Sequence, residues 1–255
     1  MPNTNLKKSL LFLHRKLTDW IYTHRRVKYA YFQSAKFFSN HGLQPLLAGS
    51  AFRNQRRWEV QGTEGSQDNP ETFLKENQSL PELFRDVLPY LPKESAILEL
   101  GCNVGRSLNY LFKQGYQNLT GIEIGAKAVE LGKKAYPEMT KQAKVIVGDA
   151  VQEIKKQPSA AFDLVFCHSV MVNIHPKFNS IFADMARVSR KFVLMLESEG
   201  SITAYPRDFQ KMIEQHGYKQ IVYKHFRGSC ESLPIPFLDD DIYHNNTIRL
   251  FVKKQ

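Results

Sequence analysis

The stretch from Ala96 to Leu108 restricts the fold of this chain more than any other. Ala96-Ile97-Leu98-Glu99-Leu100 is a short, largely apolar run of strand length, and Gly101-Cys102-Asn103-Val104-Gly105 is a glycine-bearing turn. Behind it Leu108, Leu111 and Phe112 recur at helical spacing, so the segment reads as buried strand, turn and helix. A residue without Cβ reaches positive φ freely and lets another group lie against the backbone. The free amides of the first helical turn would point at whatever fills that space, and an anionic group fits there. Downstream, strand-like and helix-like segments alternate at the spacing of βα units, which implies a parallel sheet wrapped by helices. Strands are expected at 96–100, 119–124, 144–147, 162–167, 192–197, 220–226 and 247–252, and helices at 106–114, 126–136, 150–156, 176–189 and 206–215. The last two strands have no helix between them and would pair as a hairpin.

Two nucleotide-type ligands compete for such a turn, and spacing helps to separate them. A dinucleotide fingerprint wants glycine at its first, third and sixth places, here Gly101, Asn103 and Arg106, so two of three fail. The pattern Gly-x-Gly-x-Gly needs Gly101, Asn103 and Gly105, and only its middle place departs, to a residue that tolerates the left-handed region. With Glu99 two positions ahead, this motif resembles the first motif of the class I S-adenosylmethionine-dependent methyltransferases. The resemblance covers about residues 95 to 200. It implies an α/β fold with a Rossmann-like, seven-stranded, mostly parallel sheet and helices on both faces, here with a helical N-terminal extension. It also implies S-adenosylmethionine as cofactor.

Glu123 closes the second strand 22 positions after Gly101, where an acceptor can take both hydroxyls of a ribose, and this suits either rival cofactor. Gly148-Asp149-Ala150 ends the third strand, and in the resembled family an acidic residue here commonly meets the adenine amino group. The resemblance therefore assigns cofactor contacts to Glu99, Gly101, Cys102, Asn103, Gly105, Glu123, Ile124, Asp149, Ala150 and His168. The fourth strand runs out into His168-Ser169-Val170-Met171-Val172-Asn173-Ile174-His175, where an acceptor should meet the methyl group. The polar-Pro-Pro-aromatic motif of the DNA and protein amide methyltransferases is absent there, which counts against nucleobase amines. A catechol-type metal site would want an acidic residue after this strand and Asp-Asn after the fifth; His168 and Glu197-Ser198 stand there instead, and no metal is expected.

Methyl transfer is an in-line displacement, so a base is needed only when the nucleophile carries a proton of high pKa. His168 and His175 are the candidates. Each has a plainer reading: His168 as a strand-end residue that packs or touches the cofactor, His175 as the start of a helix before Pro176. Glu197 and Tyr205 are further pocket candidates, and Trp58 is either part of a lid or a core anchor. The expected acceptor is an O or N nucleophile of a small molecule, glycan or lipid-linked intermediate. A non-catalytic nucleotide-fold binding module and an RNA methyltransferase are the alternatives.

Charge divides the chain. Residues 1–58 carry eleven lysines and arginines against Asp19 alone, so the whole net charge of +10 resides there and the remainder is neutral. In this arm Leu6, Leu10, Leu13, Leu17, Trp20 and Ile21 form an apolar stripe at helical spacing, with Lys7, Lys8, Arg15 and Lys16 largely off it. Such a helix either packs on its own domain or on a second copy in a homodimer, or docks on an anionic membrane; nucleic acid is the least favoured partner. The expected division is a basic arm over 1–60, a connector and lead-in helix over 61–94, and the catalytic domain over 95–255. Gln61 to Pro70 is mobile by composition, and Phe73 to Leu91 reads as a helix broken at Pro81. The three cysteines, Cys102, Cys167 and Cys230, suggest neither a disulfide framework nor a metal knuckle. With no apolar run long enough to span a bilayer, the expected location is the cytoplasm, with peripheral contact at the inner membrane face.

Overall fold

The computed structural model describes residues 12–14, 16–18, 20–21, 23–46, 48, 50–60, 69–75, 79–198, 205–226 and 246–254. Seven strands form one sheet: β1 (Ile97–Leu100), β2 (Leu119–Glu123), β3 (Lys144–Val147), β4 (Phe162–His168), β5 (Ser189–Ser198), β6 (Tyr218–Phe226) and β7 (Asn246–Lys253). Their order is β3-β2-β1-β4-β5-β7-β6, parallel throughout except that β7 runs antiparallel to both neighbours. The chain moves outward from β1 to β3, then crosses back to lay β4 on the other side of β1. That reversal opens a crevice at the carboxyl ends of β1 and β4, where open α/β sheets bind ligands.

Successive side chains on a strand point to opposite faces, so each central strand feeds two cores. Ile97, Leu164, Phe166 and Leu194 face one side, whereas Leu98, Val165, Cys167 and Val193 face the other. On the first side the sheet is covered by α3 (Ser79–Phe84), α4 (Arg106–Lys113) and α6 (Pro137–Gln142), through Leu83, Phe84, Leu108, Leu111 and Met139. On the second it is covered by α7 (Ala150–Glu153), α8 (Ser180–Val188) and α9 (Phe209–Glu214), through Val151, Ile181, Phe182, Met185, Phe209 and Ile213. Strands buried on both faces read as near-continuous apolar runs, which is why they were recognisable without alternation.

Ahead of the sheet lie α1 (Arg25–Asn40) and α2 (Ala51–Val60), while α5 (Ala126–Ala135) packs on β2 and β3. The end of α1 is tied to the domain: Asn179 Nδ2 donates to the Ser39 carbonyl at 2.7 Å, and the Asp208 amide donates to Asn40 Oδ1 at 2.9 Å. Ile21 packs against Val27, Tyr31 and Phe32, but Leu13, Leu17 and Trp20 of the expected stripe are exposed. Leu6, Leu10, Lys7, Lys8 and Arg15, the connector at 61–68, and Cys230 lie outside the described residues.

Several elements differ from expectation, among them the helices expected at 176–189 and 206–215, which begin at Ser180 and Phe209. Phe73 to Leu91 is not one helix broken at Pro81 but short pieces: a 3-10 turn at Pro70–Leu74, α3, and a 3-10 turn at Leu88–Tyr90. Pro81 sits in the first turn of α3, where a missing N–H costs nothing. Helix α6 was not expected; Pro137 at its first position supplies a start that the preceding helix cannot share. Strand β5 begins at Ser189 rather than 192 because its first residues pair with β4 at the Phe162 end.

Candidate active site

The turn after β1 is built from left-handed residues: Gly101 has φ 67°, Asn103 50° and Gly105 79°. The Gly101 and Cys102 amides both donate to the Ile122 carbonyl, at 2.8 and 3.1 Å, which pins the turn to β2. A Cβ on Gly101 would stand 2.5 Å from Val170 Cγ2, so glycine is required there by space as well as by φ. Asn103 tolerates its conformation because its own Oδ1 accepts the Val104 amide at 2.8 Å. Gly105 ends the turn as the residue before α4.

Three carboxylates stand at the ends of three adjacent strands. Glu123 is almost fully buried; Oε1 accepts the Gly125 amide at 2.7 Å and Oε2 the Asn103 amide at 2.8 Å. Burial raises its pKa, and the amides of Gly125, Asn103 and Ile124 oppose the rise. Asp149 caps α7, its Oδ1 accepting the Val151 amide at 2.9 Å. Glu99 on β1 is 2% exposed, and its Oε2 has no hydrogen-bond partner among the described residues. Desolvation pushes its pKa from 4.5 to about 8, against the Ser107 hydrogen bond and the Arg106 charge. A buried carboxyl oxygen without a partner is costly, and Glu99 is one of the residues that line the cavity described below.

β4 ends in His168, half-buried, with its pKa pushed down to about 4 by burial and by the Arg106 charge. Ser169 then takes φ 57°, and the chain folds back through a 3-10 turn at Met171–Asn173. His175 starts the next 3-10 turn: Nδ1 accepts the Lys177 amide at 3.2 Å, which leaves the proton on Nε2 to be donated to Gln44 Oε1 at 3.2 Å. Both ring nitrogens are therefore engaged, one by its own turn and one by the N-terminal segment. Glu197 and Tyr205 do not reach the cavity lining; Glu197 instead binds the amides of the loop from behind.

These pieces surround a cavity of about 380 Å³, within the range of about 300–1,000 Å³ usual for ligand sites. Glu99, Gly101, Cys102, Asn103, Glu123, Ile124, Asp149, Ala150, His168 and His175 all line it. Gly105 does not, because it lies behind the turn with the Met139 methyl 2.8 Å from where its Cβ would be. The buried Cys102 thiol is held protonated, its pKa raised by desolvation and by Glu99 and Glu123. Among the described residues no group of three or more His, Cys, Asp or Glu could hold a metal ion.

One wall was not foreseen from the motifs. Ala51, Gln55 and Trp58, at i, i+4 and i+7 on α2, line the cavity, with Arg57 beside them and Phe73 from the following 3-10 turn. Of these, only Trp58 carried a sequence signal, as a large aromatic just before a polar connector. Arg106 closes the corner, its Nη1 donating to the Lys75 carbonyl at 3.2 Å and its guanidinium 5.8 Å from the Phe73 ring centroid.

A family profile described as "Methyltransferase domain" matches residues 97–191. No curated protein sequence matches the chain. Among solved structures, the magnesium protoporphyrin IX methyltransferase ChlM from Synechocystis PCC 6803, with bound SAH, superimposes with a TM-score of 0.56 at 13% identity, over 88% of this chain and 100% of that one. A TehB-like SAM-dependent methyltransferase from Corynebacterium glutamicum gives 0.52 at 18% identity, over 72% and 92%. The [4+2]-cyclase SpnF gives 0.53 at 10% identity, over 77% and 85%. Identities this low speak for the fold alone, and the cyclase is a reminder that a fold does not set a reaction. Residues 97–191, from β1 through the glycine-bearing turn to the first residues of β5, match a methyltransferase domain, and the sheet they belong to has the fold of the S-adenosylmethionine-dependent methyltransferases on which it superimposes.

Proposed function

We propose that the protein moves the methyl group of S-adenosylmethionine to an O or N nucleophile of a small molecule, glycan or lipid-linked intermediate. The observation that carries this reading is the buried, unpartnered Glu99 Oε2 on the wall of a cavity that Glu123 and Asp149 also line. A cationic amino group such as that on the methionine end of the cofactor is the ligand feature that would satisfy it. Glu123, held by two backbone amides, would take the ribose hydroxyls; Asp149 and Ala150 would hold the adenine. When bound, the sulfonium supplies an electrophilic methyl group for in-line displacement.

The loop 169–175 bounds the acceptor side of the cavity. His168 is neutral above about pH 5, because its pKa lies near 4, so it orients a nucleophile as a weak hydrogen-bond acceptor rather than removing its proton beforehand. His175 has both nitrogens committed and acts by holding the loop to Gln44. Calorimetry with S-adenosylmethionine, S-adenosylhomocysteine and NAD tests the reading: the first two should bind and NAD should not. Failure of both sulfur compounds to bind would overturn it. Mass spectrometry of extracts incubated with and without the protein then identifies the methylated acceptor.

A further inference from the structure

The helices ahead of the domain present an apolar and basic surface that nothing in the described structure covers. Leu13, Leu17 and Trp20 recur at i, i+4 and i+7 and so share one helical face; Leu13 is 61% exposed and Trp20 49%. Lys16 lies beside them, its Nζ 4.8 Å from the Phe12 ring centroid. On α2 the cavity side is Ala51, Gln55 and Trp58, whereas Phe52, 78% exposed, stands with Arg53, Arg56 and Val60 on the outward side. Leu46, just ahead of α2, is 82% exposed. Large apolar side chains at such exposure, interleaved with cations, mark an interaction site.

We propose that this surface docks on an anionic lipid bilayer. The charge argues for it: eleven basic residues against one acid in residues 1–58 match a negatively charged surface. A second copy is disfavoured, because two arms each holding the net charge of +10 repel and the rest of the chain is neutral. Nucleic acid would satisfy the cations but offers no apolar phase for Leu13, Leu17, Leu46 and Val60. No helix among the described residues is long and apolar enough to cross a membrane, so the helices would lie in the interface with the apolar side chains among the acyl chains. Because α2 carries the cavity wall on its other side, docking brings that wall to the lipid surface. The inference stands whatever reaction the cavity performs.

Flotation of the full-length protein with vesicles of phosphatidylcholine alone, and of phosphatidylcholine mixed with phosphatidylglycerol, is the test. Binding is expected only to the mixed vesicles and should weaken as salt rises. Replacing Leu13, Leu17 and Trp20 together by serine, and separately Lys16, Arg26, Arg53 and Arg56 by glutamate, should each reduce binding about tenfold or more. The melting temperature and calorimetric S-adenosylhomocysteine binding of each variant are measured alongside to show that it is folded. Intact protein that ignores both vesicles, or binds them equally well after either set of substitutions, overturns the proposal. So does self-association in sedimentation velocity that the serine variant abolishes, or retention on an oligonucleotide without retention on vesicles.

Discussion

Glu197 and Arg207 hold the loop after β4 between opposite charges. The Glu197 carboxylate takes the amides of Val170 and Met171 on Oε1, at 2.9 and 3.0 Å, and of Val172 on Oε2 at 3.1 Å. Arg207, 1% exposed, gives its Nη1 hydrogens to the carbonyls of Met171 and Tyr205, its Nη2 to Ile174 and its Nε to Asn179 Oδ1. A loop that bounds the acceptor side thus has its own peptide groups satisfied by side chains from the end of β5 and from just beyond it, which frees it from needing water or regular structure.

Arg207→Ala should therefore lower the unfolding free energy by about 3 kcal/mol or more, because several buried carbonyls and the Glu197 charge lose their counterpart together. Arg207→Lys keeps the charge but not the planar fork and should recover only part of the loss. Urea unfolding of the three proteins checks both statements; an alanine variant as stable as the parent would show that the loop does not depend on this side chain.

Glu99 should couple cofactor binding to proton release. With its pKa at about 8 the free protein holds a proton there at neutral pH, and an ammonium group placed against Oε2 would drive it off. Calorimetry of S-adenosylhomocysteine binding in buffers of different ionisation enthalpy should find release of a proton near pH 7, absent in Glu99→Gln. The same shift has a consequence for stability. Between pH 4.5 and about 8 the folded state keeps a proton that the unfolded chain has lost, so this group's contribution is fully present below pH 4.5 and is lost as pH rises through 8. The loss is on the order of 5 kcal/mol. Glu99→Gln, free of cofactor, should show a flatter melting curve against pH, and an unchanged slope would remove Glu99 as its source.

The parts of this site legible in the sequence are those whose signals are local. A turn that needs positive φ writes itself as Gly101 and Gly105, with Asn103 as the one other residue type that fits, and strands buried on both faces write themselves as apolar runs such as Leu164-Val165-Phe166-Cys167. Hence a parallel sheet wrapped by helices, with a hairpin-like last pair, followed from the alternation of segments, while the seven-stranded form with helices on both faces came from the family resemblance of the motif. Arg207 stayed hidden because its importance lies in carbonyls 33 and 36 positions away, and no spacing rule connects them. Of the α2 wall only Trp58 was singled out, for a similar reason: its cavity stripe is Ala51, Gln55 and Trp58, a mixed pattern that resembles neither a core face nor a solvent face.

Asp149 serves its own helix as well as the cavity, which makes the choice of substitution decisive. Asp149→Ala removes the cap on α7, worth about 1 kcal/mol, and should weaken cofactor affinity about tenfold. Asp149→Asn keeps an acceptor for the Val151 amide, so it should retain the melting temperature while still losing part of the affinity. Equal affinities for parent and both variants, measured by calorimetry, would take Asp149 out of the site.

Two truncations separate the roles of the N-terminal helices. Removing residues 1–28 takes away the Leu13, Leu17 and Trp20 face but leaves the contacts of Ser39, Asn40 and Gln44 with the domain and leaves α2 in place. Cofactor binding should survive in that protein. Removing residues 1–60 also takes Ala51, Gln55, Arg57 and Trp58 from the cavity wall and the Gln44 partner from His175, and affinity should fall about tenfold or more as the cavity opens to water. Fluorescence gives a second reading, since Trp20 and Trp58 are the only tryptophans and the shorter truncation retains Trp58 alone. Its emission should change on addition of S-adenosylhomocysteine. Unaltered emission, together with equal affinity in both truncations, would place α2 outside the functional wall and leave the cavity open on that side.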